Sequence, residues 1–151
     1  MLYLDASALV KRYVREAGSD IVIARFATGE RLYTSVLSYA EVEAALGRKY
    51  RTGGMGSDES HHARERFRRD FVLFLNIVEL DVGTLAAVPS LVDRFPIRGA
   101  DAVHLSAALW LRDMMRLVPD FSQGEVGLEF GAADENLKEF ARHSGLTVLS
   151  L

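Results

Sequence analysis

Asp5, Glu41, Asp101 and Asp134 are the residues of this chain whose type and setting best suit chemistry. They stand in LYLDAS, SYAEVEAAL, RGADAVHLSAA and EFGAADENLKEFA, each where a strand or helix pattern begins or ends. Carboxylates drawn together resist joint ionisation unless a cation sits among them. Four acids aimed at one edge of an open α/β sheet would therefore bind a divalent metal. Metal and carboxylates at such an edge point to phosphodiester hydrolysis.

Each acid also has a purely structural reading. Asp5, Asp101 and Asp134 all precede helical patterns, where aspartate is a favoured N-cap. Glu41 lies inside a helical pattern three residues after Ser38. It can complete a capping box with that serine or project from the first turn toward the sheet edge. Glu43 is its rival, but two helical positions differ by about 200° of rotation, so the two cannot face one site. Glu41 shares a face with Leu37 and Ala45, and is preferred. Ser7 can support Asp5 or a metal-bound water, or act as a second cap. His104, one turn after Asp101, reads as a packed, hydrogen-bonded residue on a largely apolar helix. His61 and His62 lack metal-ligand spacing to any other histidine. No GxxxxGK[ST] loop, GxGxxG turn or GxSxG elbow is present.

The elements that would position these acids follow from periodicity. Leu2–Leu4 reads as a strand leading through a tight turn into a helix carrying Ala8, Leu9, Tyr13 and Val14. Ser19 and Asp20 can cap a helix running to Phe26, which Gly29 ends. Arg31–Thr34 reads as a second strand, and Ser35 and Ser38 can cap a long helix reaching about Arg51. Thr52–His62, rich in Gly and Ser, reads as a loop. In the next helix Phe67, Phe71 and Phe74 fall on one face, expected to be buried. Asn76–Leu80 is the third expected strand. Val82–Phe95 looks helical with a break near Val88 ahead of Pro89. A helix then opens at Asp101 and carries Val103, Ala107, Trp110 and Leu111. A loop over 118–125, a strand Val126–Phe130, the Asp134 helix and a short strand Leu146–Leu149 complete the chain. Strands alternating with helices predict an α/β fold with a central parallel sheet of about five strands, whose functional groups gather beyond the strands' carboxyl ends.

Bulk properties agree with one soluble domain over residues 1–151. The chain is 49% hydrophobic and 26% charged, which suits a packed globule and not a disordered segment. Cysteine is absent, which excludes disulfide frameworks, thiolate metal sites and cysteine nucleophiles. No basic leader precedes an apolar core and no apolar run could span a bilayer, so a cytoplasmic protein without membrane association is expected. The net charge of −3 conceals an asymmetry. Between Arg48 and Arg69 seven basic residues face three acidic ones, giving +4, so the remainder carries −7. The stretch is either a phosphate-contacting flank or a solvated helix face.

LDASALVKRY, TSVLSYAEVEAALGR, RGADAVHLSAA and FGAADENLKEFARHSGLTV together resemble the PIN-domain family, and within it the VapC-like toxins of toxin–antitoxin pairs. The resemblance brackets nearly the whole chain and rests on the order, spacing and acid of all four segments. It implies a single PIN-like domain with Mg²⁺- or Mn²⁺-dependent endoribonuclease activity, in which a metal-activated water hydrolyses RNA. It also implies a metal site of Asp5, Glu41, Asp101 and Asp134, with Ser7 supporting the first acid. A homodimer held in check by a small antitoxin protein would follow. Glu135 could substitute for Asp134. The Thr52–His62 loop and the 112–125 link depart from the family pattern. Two other readings stay open: a PIN-like scaffold that binds RNA or protein without cutting, and a haloacid dehalogenase-type phosphatase suggested by LYLDAS. The second lacks its second acid, because Ser7 occupies that position.

Overall fold

β1 (Leu2–Leu4) is buried on both faces, as a central parallel strand must be. Its side chains alternate across the sheet. Leu2 and Leu4 join Leu9, Val42, Leu46 and Phe67 in one core layer. Tyr3 packs on the other side with Leu105, Ala108, Phe130 and Leu137. The computed structural model describes residues 1–118 and 127–151.

From β1 the chain passes through α1 (Ala6–Leu9), a 3₁₀ turn over Val10–Arg12, and α2 (Ser19–Ala27) to β2 (Leu32–Ser35). Two long helices, α3 (Leu37–Arg51) and α4 (Ser57–Leu73), precede β3 (Leu75–Val78). Then come α5 (Val88–Arg94), α6 (Gly99–Arg116), β4 (Glu129–Gly131), α7 (Glu135–His143) and β5 (Thr147–Val148). All five strands are parallel, in the order β3-β2-β1-β4-β5. The order reverses at β1, so a crevice opens beyond the carboxyl ends of β1 and β4, where doubly wound sheets bind their ligands.

Several local expectations need correction. The stretch Thr52–His62 is not a loop throughout, because α4 begins at Ser57. Asp58 and Glu59 sit in its first turn, where the helix dipole favours acids. Phe74 leaves the buried face of that helix: it is the C-cap residue and 53% exposed, while Phe67 is fully buried. Helix α5 is confined to Val88–Arg94, with Pro89 in its first turn, where a missing N–H costs little. Before it, Asp81 and Thr84 exchange hydrogen bonds in a tight turn. Asp101 does not open its helix; α6 begins at Gly99 with Arg98 as N-cap. Gly18 replaces the expected caps Ser19 and Asp20, and the Ser38 hydroxyl pairs with Thr34 in place of capping α3. Ser35 does accept a hydrogen bond from the Leu37 N–H. The strands lie within a few residues of their expected positions. Residues 119–125 of the expected loop and Val126 of the fourth strand lie outside the described residues.

Candidate active site at the carboxyl edge of the sheet

Asp5 follows β1 directly, and its main-chain N–H donates to the Gly131 carbonyl of β4 at 2.9 Å. It is therefore seated at the switch point of the sheet. Its side chain caps α1, accepting from the Ala8 N–H at 2.7 Å. The cap reading is thus correct for Asp5, and it does not withdraw the residue from the crevice. Ser7 Oγ lies 2.8 Å from both Asp5 oxygens and accepts from the Ala133 N–H at 2.8 Å. With one proton to donate, Ser7 bonds one Asp5 oxygen at a time and ties α1 to the loop before α7. Burial raises the Asp5 carboxyl to about 6; the His104 ring, the Ala8 N–H and Ser7 oppose the rise, and the Asp101 charge adds to it.

Asp101 lies in the first turn of α6 and is only half-buried. Burial pushes its carboxyl above the ordinary range. Arg98 pulls it back down, while Asp134 and Glu41 push it further up. Asp101 therefore feels Asp134 and Glu41, and Asp5 feels Asp101. The fold brings the four acids into one electrostatic neighbourhood, from β1, α3, α6 and the start of α7. Asp134 caps α7 through the Leu137 N–H at 2.9 Å. The neighbouring Glu135 turns outward to Lys138 at 2.7 Å.

Glu41 is held by His104, which the sequence reads as a packed, hydrogen-bonded residue without naming its partners. His104 Nε2 lies 2.7 Å from Glu41 Oε2, and its Nδ1 lies 3.1 Å from the Tyr3 hydroxyl. His104 is packed, as expected, and its hydrogen bonds also reach the crevice. Tyr3 is fully buried and stacks on Phe130 with centroids 5.7 Å apart. Burial, with Asp5 next, raises the Tyr3 hydroxyl well above its ordinary range, which keeps it protonated. Tyr3 was not singled out in the sequence. Its only signal was position: one residue before the acid, on a strand whose neighbours are leucines. Glu43 points away from the crevice, to Arg68 at 2.7 Å and Arg64 at 3.6 Å on α4.

The donor set is all carboxylate and hydroxyl oxygen, which suits a hard cation such as Mg²⁺ or Mn²⁺. Among the described residues no three His, Cys, Asp or Glu side chains are gathered tightly enough to enclose an ion. The residues thus fit an ion held by one or two carboxylates that keeps most of its water, as Mg²⁺ usually does, and not a closed protein cage.

Two cavities border the acids. One, of about 430 Å³, is lined by Ser7 and Glu41 together with Glu16, Arg48, Lys49 and Arg98. The other, about 130 Å³, is bordered by Arg98, Asp101, Asp134 and Asn136.

Acids gather at the carboxyl edge of a five-stranded parallel sheet, and residues 2–113 match the PIN domain family model. The chain belongs to the PIN-domain family. Among its relatives is Ribonuclease VapC45 of Mycobacterium tuberculosis (strain CDC 1551 / Oshkosh), 36% identical over 113 residues, covering 75% of this chain and 78% of the relative. Two solved structures share the fold at 12% sequence identity, each with a TM-score of 0.62. They are Mycobacterium tuberculosis VapC20, a Sarcin-Ricin loop cleaving toxin (97% of each chain), and VapBC2 from Rickettsia felis bound to a promoter DNA fragment (99% of this chain, 98% of that one). No helix among the described residues is long and apolar enough to cross a membrane.

Proposed function

We propose that this protein is a metal-dependent endoribonuclease, the toxin of a toxin–antitoxin pair, with residues 1–151 acting as one nuclease domain. The observation that carries the reading is Asp5 seated at the switch point of the sheet, within electrostatic reach of Asp101 from the first turn of α6. Burial makes both resist ionisation, and the neighbouring acids add to it. The kinship with Ribonuclease VapC45 supports RNA as the substrate.

Asp5 and Asp101 would hold Mg²⁺ or Mn²⁺, which when bound polarises the attacking water and offsets charge on the phosphate and the departing oxygen. Ser7 keeps the Asp5 carboxylate aimed by bridging it to Ala133. His104 commits one Glu41 oxygen, leaving the other as an acceptor that orients an attacking water. Asp134 serves the same edge from the start of α7, with its cap bond limiting rotation. Hydrolysis in this arrangement leaves 5′-phosphate and 3′-hydroxyl ends. The likeness to VapBC2 supports a small antitoxin protein as partner, and the working form would be a homodimer in the cytoplasm.

The test is induced expression of the parent and Asp101→Asn in a bacterial host, with mapping of new RNA 5′ ends. Growth arrest and discrete 5′-phosphate ends, absent from the variant, are expected. Cleavage retained by both Asp5→Asn and Asp101→Asn would overturn the assignment.

A further inference from the structure

The basic run between Arg48 and Arg69 divides sharply in the folded protein. Arg64 and Arg68 turn to Glu43, and Arg69 turns to the buried Asp70 at 3.4 Å. These three arginines are thus engaged by Glu43 and Asp70, neither of which lines the cavity with Glu41. Arg48 and Lys49, near the end of α3, instead line the cavity that contains Glu41 and Ser7. Arg98 borders that cavity and also the smaller one beside Asp101 and Asp134. Arg48 is exposed, and among the described residues no ion pair engages it.

Lys49 is engaged by Glu16, a residue from the loop between the 3₁₀ turn and α2. Its Nζ lies 2.6 Å from Glu16 Oε1, and Lys11 approaches the other oxygen at 3.9 Å. Glu16 and Lys49 are each about one-third exposed, and a pair that wet is weak and open to exchange. A carboxylate between two lysines in a cavity next to the acidic edge sits where another oxyanion would fit.

Deepening the ribonuclease reading, on which this rests, we propose that Arg48 and Lys49 form a subsite for an RNA backbone phosphate neighbouring the one that is cleaved. Arg98, which borders both cavities, holds the strand between this subsite and Asp101. Glu16 occupies the subsite in the free protein and yields it to the phosphate. Glu16 is thus a brake on RNA binding, and the two α3 cations are positioning residues.

The experiment measures fluorescence anisotropy of a short fluorescein-labelled single-stranded RNA with Mg²⁺. The full-length protein carries Asp5→Asn so that the RNA stays intact. Adding Arg48→Ala with Lys49→Ala is expected to weaken binding by about tenfold and to lower the salt-dependence slope by about 1.4, the share of two phosphate contacts on a single strand. Glu16→Gln should tighten binding by about three- to tenfold, whereas Glu43→Gln, the same charge change outside the cavity, should alter it by less than about twofold. Thermal unfolding of each variant checks that it is folded. An unchanged slope in the double variant, or equal effects of Glu16→Gln and Glu43→Gln, would overturn the subsite. So would failure of the parent Asp5→Asn protein to bind RNA at all. Cleavage by the otherwise unmodified chain is scored separately. If it never cuts RNA while the binding pattern holds, the ribonuclease reading falls and the phosphate subsite stands.

Discussion

Replacing Asp5 with Asn removes a charge that the fold resists, so the variant should outlast its parent at neutral pH and lose that advantage in acid. Asn caps a helix as well as Asp does, and its Oδ1 can keep the bond from the Ala8 N–H, so α1 keeps its start. The folded protein holds the Asp5 proton up to about 6, the unfolded chain only to about its ordinary 3.8. Across that window the folded state binds more protons, so stability falls as pH rises through it. The penalty is absent below the lower value and complete above the upper one. Its upper bound is about 3 kcal/mol, because each pKa step is about 1.4 kcal/mol. For a chain of this length that is a Tm gain of up to about 10 °C. The assay is thermal unfolding of both proteins in EDTA at about pH 4 and about pH 7.5. Addition of Mg²⁺ or Mn²⁺ at neutral pH should then raise the Tm of the parent and leave the variant nearly unmoved, since the ion favours the ionised acid. An Asn variant that melts below its parent by the same margin at both pH values would refute the reasoning.

His104→Leu keeps the volume but strips a hydrogen bond from both Glu41 and the buried Tyr3 hydroxyl. It should cost about 1–3 kcal/mol in urea unfolding, and Tyr3→Phe added to it should cost less than it does alone in the parent. Strictly additive losses would show that the three groups do not act as a network. Asp70 is fully buried beside Arg12, Tyr13 and Arg69. Asp70→Ala should destabilise the protein by about 3–5 kcal/mol by leaving those partners unpaired, and a loss below about 1 kcal/mol in denaturant titration would contradict that. A Cβ at Gly131 would lie 2.8 Å from Leu4 Cδ2 in the core, so Gly131→Ala should cost about 1–3 kcal/mol. Because the Gly131 carbonyl holds the Asp5 N–H, the same variant should cleave RNA more slowly than its stability loss explains.

Much of this protein was legible from local pattern. The apolar run Leu2–Leu4, then Asp5, then helical spacing placed one acid at the end of a strand, because both signals are properties of a few consecutive residues. The rotation per helical residue separated Glu41 from Glu43, and the face shared with Leu37 and Ala45 favoured Glu41; the two side chains do diverge, toward His104 and toward α4. The parallel sheet followed from alternation of strands and helices. Pairings between distant segments belonged to tertiary structure alone. Strand order, and with it the crevice between β1 and β4, depends on which hydrophobic faces meet, and neighbouring residues do not encode that. His104 looked like core because its helix is apolar; only packing against β1 and α3 set its ring between Tyr3 and Glu41, 101 and 63 residues away in sequence. The basic run looked uniform as a string of charges. Folding assigned Arg64 and Arg68 to Glu43 and left Arg48 and Lys49 beside the acids, because a charge acts through distance in space, and the chain sets that distance only when it packs.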